Sequence, residues 1–180
     1  MTVPEHIEHY LGKITHGIKS NNSNGVNAVI FPSVPENALT TYVTLGLSKY
    51  DLNYKSKFEL VFVSSDKEEQ GNLANMLIWI ADLIIQKSRP VLCGEIVYLP
   101  QTISKNTKMN CLLVYTPFYF EDNFQVAKTQ NGNVVFPLLI PIYIEEAKLI
   151  QEKGIESFEN FLSSIQANNL WDMNRTCFSW

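Results

Sequence analysis

The stretch Ser65-Asp-Lys-Glu-Glu-Gln-Gly-Asn-Leu-Ala-Asn-Met-Leu-Ile-Trp-Ile-Ala-Asp-Leu-Ile-Ile-Gln-Lys87 decides the architecture. It opens on an N-cap candidate followed by acids where a helix start favours negative charge, so a helix is predicted from Ser65-Asp66 to about Lys87. From Leu73 onward, Met76, Leu77, Ile78, Trp79, Ile80, Leu83, Ile84 and Ile85 leave almost no polar face. A helix of that kind belongs at the centre of a core. Its apolar run, 76–85, is about half of the roughly 20 residues a membrane span needs, and Asp82 interrupts it.

Upstream, residues 26–31, 40–47 and 57–63 are rich in β-branched and aromatic side chains and read as strands. The last two suit antiparallel pairing around the 48–56 connection. Before them, Val3, Ile7, Tyr10, Leu11, Ile14 and Ile18 recur at helical spacing beside Pro4, predicting an amphipathic helix weakened at Gly12 and ended by residues 20–25. Downstream, 95–99, 110–115 and 134–144 read as strands. Asn131-Gly132 signals a hairpin that sets 124–128 against 133–139. Pro137 and Pro141 cannot donate to a ladder, so the last strand is an edge or is broken near them. Residues 145–165 read as a helix with a break at Gly154, and the apolar tail of Leu170, Trp171, Met173, Phe178 and Trp180 requires cover from the domain or from a partner. No repeat or linker divides the chain. The expectation is an α+β fold in one domain over residues 1–180, with a mostly antiparallel or mixed sheet packed against the central helix and flanked by N- and C-terminal helices.

Composition narrows the function classes. At 46% hydrophobic and 18% charged, 180 residues suit a packed core. A chain of this size buries roughly 70% of its unfolded surface and needs neither disulfides nor a structural metal to fold. Fourteen basic against eighteen acidic residues give a net charge of −4, the wrong sign for a general nucleic-acid binder. Cys93, Cys111 and Cys177 form no CxxC pair and are odd in number, which points to reduced thiols. The opening Met-Thr-Val-Pro-Glu-His has neither the basic start nor the apolar run of a signal peptide, so a cytoplasmic protein is expected. The glycosylation tripeptides Asn21-Asn22-Ser23 and Asn174-Arg175-Thr176 are then chance matches.

Few constellations offer chemistry. His6, His9 and His16 share a sector of a regular helix, yet no HExxH set is formed, and a solvated helix flank explains them as well as a metal does. Asp82 is a carboxylate within the apolar helix, where a structural hydrogen bond competes with a role as general base. Cys93-Gly94 reads more simply as a small buried residue than as a nucleophile. The segment Tyr115-Thr-Pro-Phe-Tyr-Phe-Glu-Asp-Asn-Phe124 gathers aromatics around an acidic pair after a predicted strand. Aromatic anchors ringed by charge suit a protein interface, and Tyr119, Phe120, Glu121, Asp122 and Phe124 are the candidate partner-binding residues. The competing reading makes Phe118, Phe120 and Phe124 inward-pointing core residues and leaves Glu121-Asp122 on top of a turn. No catalytic residue, cofactor or metal ligand is assigned.

The order of Thr41-Tyr-Val-Thr-Leu-Gly-Leu-Ser48, Phe58-Glu-Leu-Val-Phe62, the 73–85 helix, Tyr115-Thr-Pro117 and Val135-Phe-Pro-Leu-Leu-Ile-Pro-Ile-Tyr143 with Glu146 resembles a bacterial suppressor-of-fused-like domain. The likeness extends over most of the chain. Within that family it is most similar to the YqcF-type antitoxins of Bacillus, to which the opening Met1-Thr-Val-Pro-Glu5 adds. The tail Asp172-Met-Asn-Arg175 resembles the family's closing Asp-x-x-Arg segment, whereas Trp171 and Phe178-Ser-Trp180 look particular to this chain. The resemblance implies a non-enzymatic cytoplasmic immunity protein that neutralises a cognate LXG-type toxin, with a nuclease C-terminal domain, by stoichiometric occlusion. The alternative it leaves is a regulatory module of the same fold that sequesters a non-toxin protein. Neither implies contact with nucleic acid or membrane, and the resemblance carries no interface positions.

Overall fold

The computed structural model describes residues 1–20, 24–164 and 167–180. The chain runs α1 (Val3–Leu11), β1 (His16–Ile18), β2 (Asn27–Pro32), β3 (Thr40–Leu45), β4 (Lys57–Phe58), β5 (Val61–Ser64), α2 (Gln70–Lys87), β6 (Ile96–Tyr98), β7 (Cys111–Tyr115), β8 (Val126–Thr129), β9 (Gly132–Val135), β10 (Leu138–Ile142), α3 (Ile144–Lys153) and α4 (Ile155–Leu162). Three single 3-10 turns lie at Leu47–Lys49, Asp122–Gln125 and Ala167–Trp171. The fold is α+β, as the residue pattern predicts.

Seven strands form one sheet in the order β1-β2-β3-β5-β10-β7-β6, antiparallel throughout except where β5 and β10 run parallel. Thr40 pairs with Ser64 and Val43 with Val61, the antiparallel neighbourhood expected across the 48–56 connection. Alternation along each strand sends side chains to opposite faces. Tyr42, Phe62, Leu112 and Val114 meet α2 through Leu73, Leu77 and Ile80, while Val43, Val61, Val63 and Leu113 face a second core layer. That layer is built from α1, α3, α4, the tail and strands β8 and β9 of a small sheet of order β4-β9-β8, whose β4 residue Phe58 packs in the first layer. Among the described residues no helix is long and apolar enough to cross a membrane.

Several boundaries differ from the sequence reading, each for a local reason. The first helix ends at Leu11, because Gly12 leaves the helical region at φ 93° and the Glu8 carboxylate turns back to accept from Ile14 N at 3.0 Å. Ile18 therefore lies on β1; of the expected stop at 20–25, residues 21–23 lie outside the described residues, as does the first glycosylation tripeptide. The core helix begins at Gln70, since Asp66 Oδ1 accepts from the backbone N–H of Glu68 and Glu69 and caps a turn ahead of it. Its end at Lys87 is as expected.

The predicted strand 57–63 is divided at Glu59, with β4 in the small sheet and β5 in the large one. Glu59 is completely buried, and its carboxylate accepts from Thr44 Oγ1 at 2.7 Å, from the backbone N–H of Gly46, Leu47 and Ser48, and from Ser48 Oγ. Burial pushes its carboxyl up, and these hydrogen bonds oppose that. The kink at Glu59 thereby fixes the 46–48 turn.

The second half of the predicted strand 134–144 is not an edge: β10 lies between β5 and β7. The chain does break at Pro137, which passes from β9 to β10. Pro141 is tolerated inside the ladder because its carbonyl turns away from β7 to accept from Arg175 Nη2 at 3.0 Å. Its missing N–H faces the same side, beyond the β5 pairing that stops at Leu139. The hairpin loop is Gln130-Asn131, one residue earlier than expected, with Gly132 opposite Thr129 at φ 105°. Gly154 separates α3 from α4 at φ 85°, as its position predicts, and Ile165 lies outside the described residues.

Candidate functional site

The tail is the floor on which the candidate site rests. Trp171 is fully buried, its carbonyl accepts from Ser65 N at 3.1 Å, and Met173 N donates to Ser65 Oγ at 3.3 Å. These bonds tie the tail to the end of β5. Farther on, Arg175 reaches the completely buried Glu146 with two parallel N–H donors, Nη1 to Oε1 at 2.5 Å and Nη2 to Oε2 at 2.8 Å. The guanidinium stacks on Phe178, 4.1 Å from the ring centre, and Glu146 also accepts from the backbone of Tyr143 and Phe178. The tail thus packs on its own domain. Glu146, an acid in the first turn of α3, is the buried half of this clamp.

Above Trp171 lies the segment that follows β7. Phe118 stacks on the indole at 6.4 Å with an interplanar angle of 26°, and Tyr119 packs against it at 5.6 Å. Tyr115 meets Phe118 edge-on at 5.8 Å. Each phenol is tied to a distant carboxylate: Tyr115 Oη donates to Glu159 Oε1 on α4 at 2.5 Å, and Tyr119 Oη donates to Glu36 Oε1 at 2.7 Å. Burial first, then the hydrogen-bonded carboxylate and its charge, raise both phenols, so they remain protonated donors. The result is an aromatic ledge, Tyr115-Phe118-Tyr119, with Phe118 40% exposed at its crest and the exposed acids Glu36, Glu121 and Asp122 beside it.

The next turn points the other way. Glu121 starts the 3-10 turn Asp122–Gln125, which drives Phe124 fully inside. There it packs on Phe120 at 4.9 Å and Phe136 at 5.1 Å, and its carbonyl meets His6 Nε2 at 3.0 Å. Of the five candidate partner-binding residues, Glu121 and Asp122 are exposed, Tyr119 and Phe120 are half-buried, and Phe124 supports the surface from below. Phe118, read as a core candidate, stands outside. Glu36 and Glu159 were not singled out by sequence reasoning, because Tyr119 and Glu36 lie 83 positions apart and Tyr115 and Glu159 lie 44 apart. Only the fold reveals those pairings.

The remaining chemistry candidates separate. His6 is buried in the Phe124–Phe136 aromatic cluster, which lowers its pKa, while His16 sits on β1 against Thr15. No group of three or more His, Cys, Asp or Glu among the described residues could hold a metal ion. Asp82 accepts from Asn24 Nδ2 at 3.1 Å, a structural bond to the segment before β2. The three cysteines are free; Cys111 is buried, whereas Cys93, expected inside, and Cys177 are exposed, and desolvation raises all three thiols, Cys111 to about 11, which disfavours the thiolate.

Comparison with known proteins bears on this geometry. Residues 22–176 match the family model for suppressor of fused protein (SUFU). The chain is 24% identical over 169 residues to immunity protein YqcF of Bacillus subtilis (strain 168), covering 91% of this chain and 86% of that protein. Among solved structures, a suppressor of fused homolog from Neisseria gonorrhoeae FA 1090 superposes with a TM-score of 0.77 at 15% identity, covering 98% of this chain and 94% of that one. A chain of the Sufu-Fu complex crystal structure superposes with a TM-score of 0.73 at 16% identity, covering 97% and 89% respectively.

Proposed function

The chain belongs to the suppressor of fused protein family, and from that premise we propose that it is an immunity protein that binds and neutralises a cognate protein toxin. The observation that carries this reading is the likeness to an immunity protein along 91% of the chain. The toxin is of the LXG type with a nuclease C-terminal domain, and neutralisation is stoichiometric occlusion in the cytoplasm, without catalysis by this chain. Tyr119, Phe120, Glu121 and Asp122, with Phe118 at the crest and Phe124 as support, form the contact surface. The chemistry of that surface suits toxin binding, since a half-exposed aromatic crest supplies affinity while the acids beside it steer a basic nuclease and fix its orientation.

Co-expression tests the reading. A candidate cognate LXG-type toxin is expressed in a sensitive host with and without this protein, and the pair is then co-purified. Restored growth with an equimolar complex supports the proposal; toxicity unchanged by the protein, with no complex, refutes it. A regulatory module that sequesters a non-toxin protein is the second reading, favoured by the likeness to a chain of the Sufu-Fu complex. It predicts normal folding with no protection.

A further inference from the structure

Beside the ledge, an apolar groove of about 260 Å3 opens between the two sheets. Phe58 on β4, Val126 on β8 and Val135 on β9 form one wall; Cys93, Tyr115 and Pro117 form the other. Three large apolar side chains that the fold leaves exposed gather here: Tyr54, 44% exposed, and Val126 on the groove itself, and Phe118, which packs on Tyr115. The groove is smaller than the roughly 300–1,000 Å3 of small-molecule sites, a size that suits a single inserted side chain. It is built on strands of both sheets, so it is present before any partner arrives. Lys55 lines the groove, and the phenol of Tyr115, which also lines it, holds the half-buried Glu159 carboxylate next to it. Among the described residues no lysine or arginine lies within ion-pair distance of Glu159, Glu121 or Asp122.

We propose that this groove is the anchor pocket of the ledge: a protein partner inserts one apolar side chain between Phe58 and Tyr115 and lays a neighbouring basic side chain against Glu159. The inference rests on the ledge being a protein-binding surface and adds the chemistry of what it binds, an extended segment with an apolar residue next to arginine or lysine. Desolvated apolar anchors flanked by rim charges are the arrangement from which interface hot spots are made. The shared Tyr115 makes ledge and groove one continuous surface.

The test uses the isotope-labelled full chain and three amidated peptides, Gly-Phe-Gly-Arg-Arg-Gly, Gly-Ala-Gly-Arg-Arg-Gly and Gly-Phe-Gly-Glu-Glu-Gly, titrated by amide NMR. The first is expected to shift the amides of 54–58, 115–118 and 157–160, and the other two to bind at least about fivefold more weakly. Ser56→Trp, which fills the groove, Val126→Asp on its exposed rim and Glu159→Gln should each weaken the first peptide at least about threefold, with unfolding midpoints held as the folding control. Equal binding of the alanine peptide, shifts confined to another face, or normal binding by folded Val126→Asp and Glu159→Gln would overturn the proposal. Protection from toxin without peptide binding leaves the immunity reading standing and removes the anchor; peptide binding without protection does the reverse.

Discussion

Replacing Arg175 by Met should cost this protein a large part of its stability. Arg175 is 7% exposed and Glu146 is 0% exposed, and their two parallel hydrogen bonds are joined by donation from Arg175 to the carbonyls of Pro141 and Thr176. Removing one partner of a buried pair leaves the other charge uncompensated, at a cost of about 3–5 kcal/mol. For a chain of this size that corresponds to a drop of about 6–20 °C in the unfolding midpoint. Arg175→Lys keeps the charge but loses the planar fork and the stacking on Phe178, so an intermediate loss is expected. The double variant Arg175→Met with Glu146→Gln should be more stable than Arg175→Met alone, because it removes the stranded charge. Urea unfolding, with midpoints compared at constant slope, measures all three. A loss below about 1 kcal/mol for Arg175→Met, or no recovery in the double variant, would refute the claim that the clamp holds the tail. Because Ser65 anchors Trp171 separately, partner binding by the folded fraction should be preserved.

Three further outcomes follow from the same geometry. Phe124→Ala removes a fully buried ring and should cost about 3–5 kcal/mol in thermal or chemical unfolding, whereas Phe118→Ala, at the exposed crest, should cost under about 1 kcal/mol yet weaken toxin binding about tenfold by calorimetry. Glu121→Lys and Asp122→Lys should slow association with the toxin in stopped-flow mixing, most at low salt, and leave dissociation nearly unchanged; an unchanged association rate would remove these acids from the surface. Burial, opposed by the bond to the Phe124 carbonyl and aided by the charge of His9, lowers the pKa of His6, so below its ordinary 6.5 the unfolded chain takes up a proton that the folded chain resists. Its contribution is present above about pH 6.5 and is lost as pH falls through the folded value, and His6→Gln should flatten that part of an unfolding profile taken from about pH 7 to about pH 5.

How much could be read from the chain depended on the distance over which each feature is decided. The 73–85 run specified its buried helix, and Gly154 its break, because both turn on side chains or backbone freedom within a few residues. Gly12 was visible as a weakness but not as a terminus, since Ile14 and Ile18 continue the helical spacing by coincidence while lying beyond the helix. The division of 57–63 was hidden, as nothing near Glu59 in sequence announces that the 46–48 turn will donate to its carboxylate. Pro141 misled for a related reason: the rule that proline belongs at an edge holds for its unpartnered side, and Arg175 supplies the partner for its carbonyl.

The candidate surface shows the same divide. An aromatic and acidic segment after a strand was legible at 115–124, and so was the tension between core and interface. By itself the sequence determined the fold class, the core helix, the family likeness and the mild acidity, because composition, periodicity and motif order are properties of neighbours along the chain. Only the tertiary structure decided that Phe118 faces out while Phe124 faces in, that Glu36 and Glu159 hold the phenols of Tyr119 and Tyr115, and that a groove opens beside them. Those outcomes depend on Phe118 stacking against Trp171, on a 3-10 turn that sets Phe124 against Phe136, and on which distant segments the sheet order brings within hydrogen-bond reach.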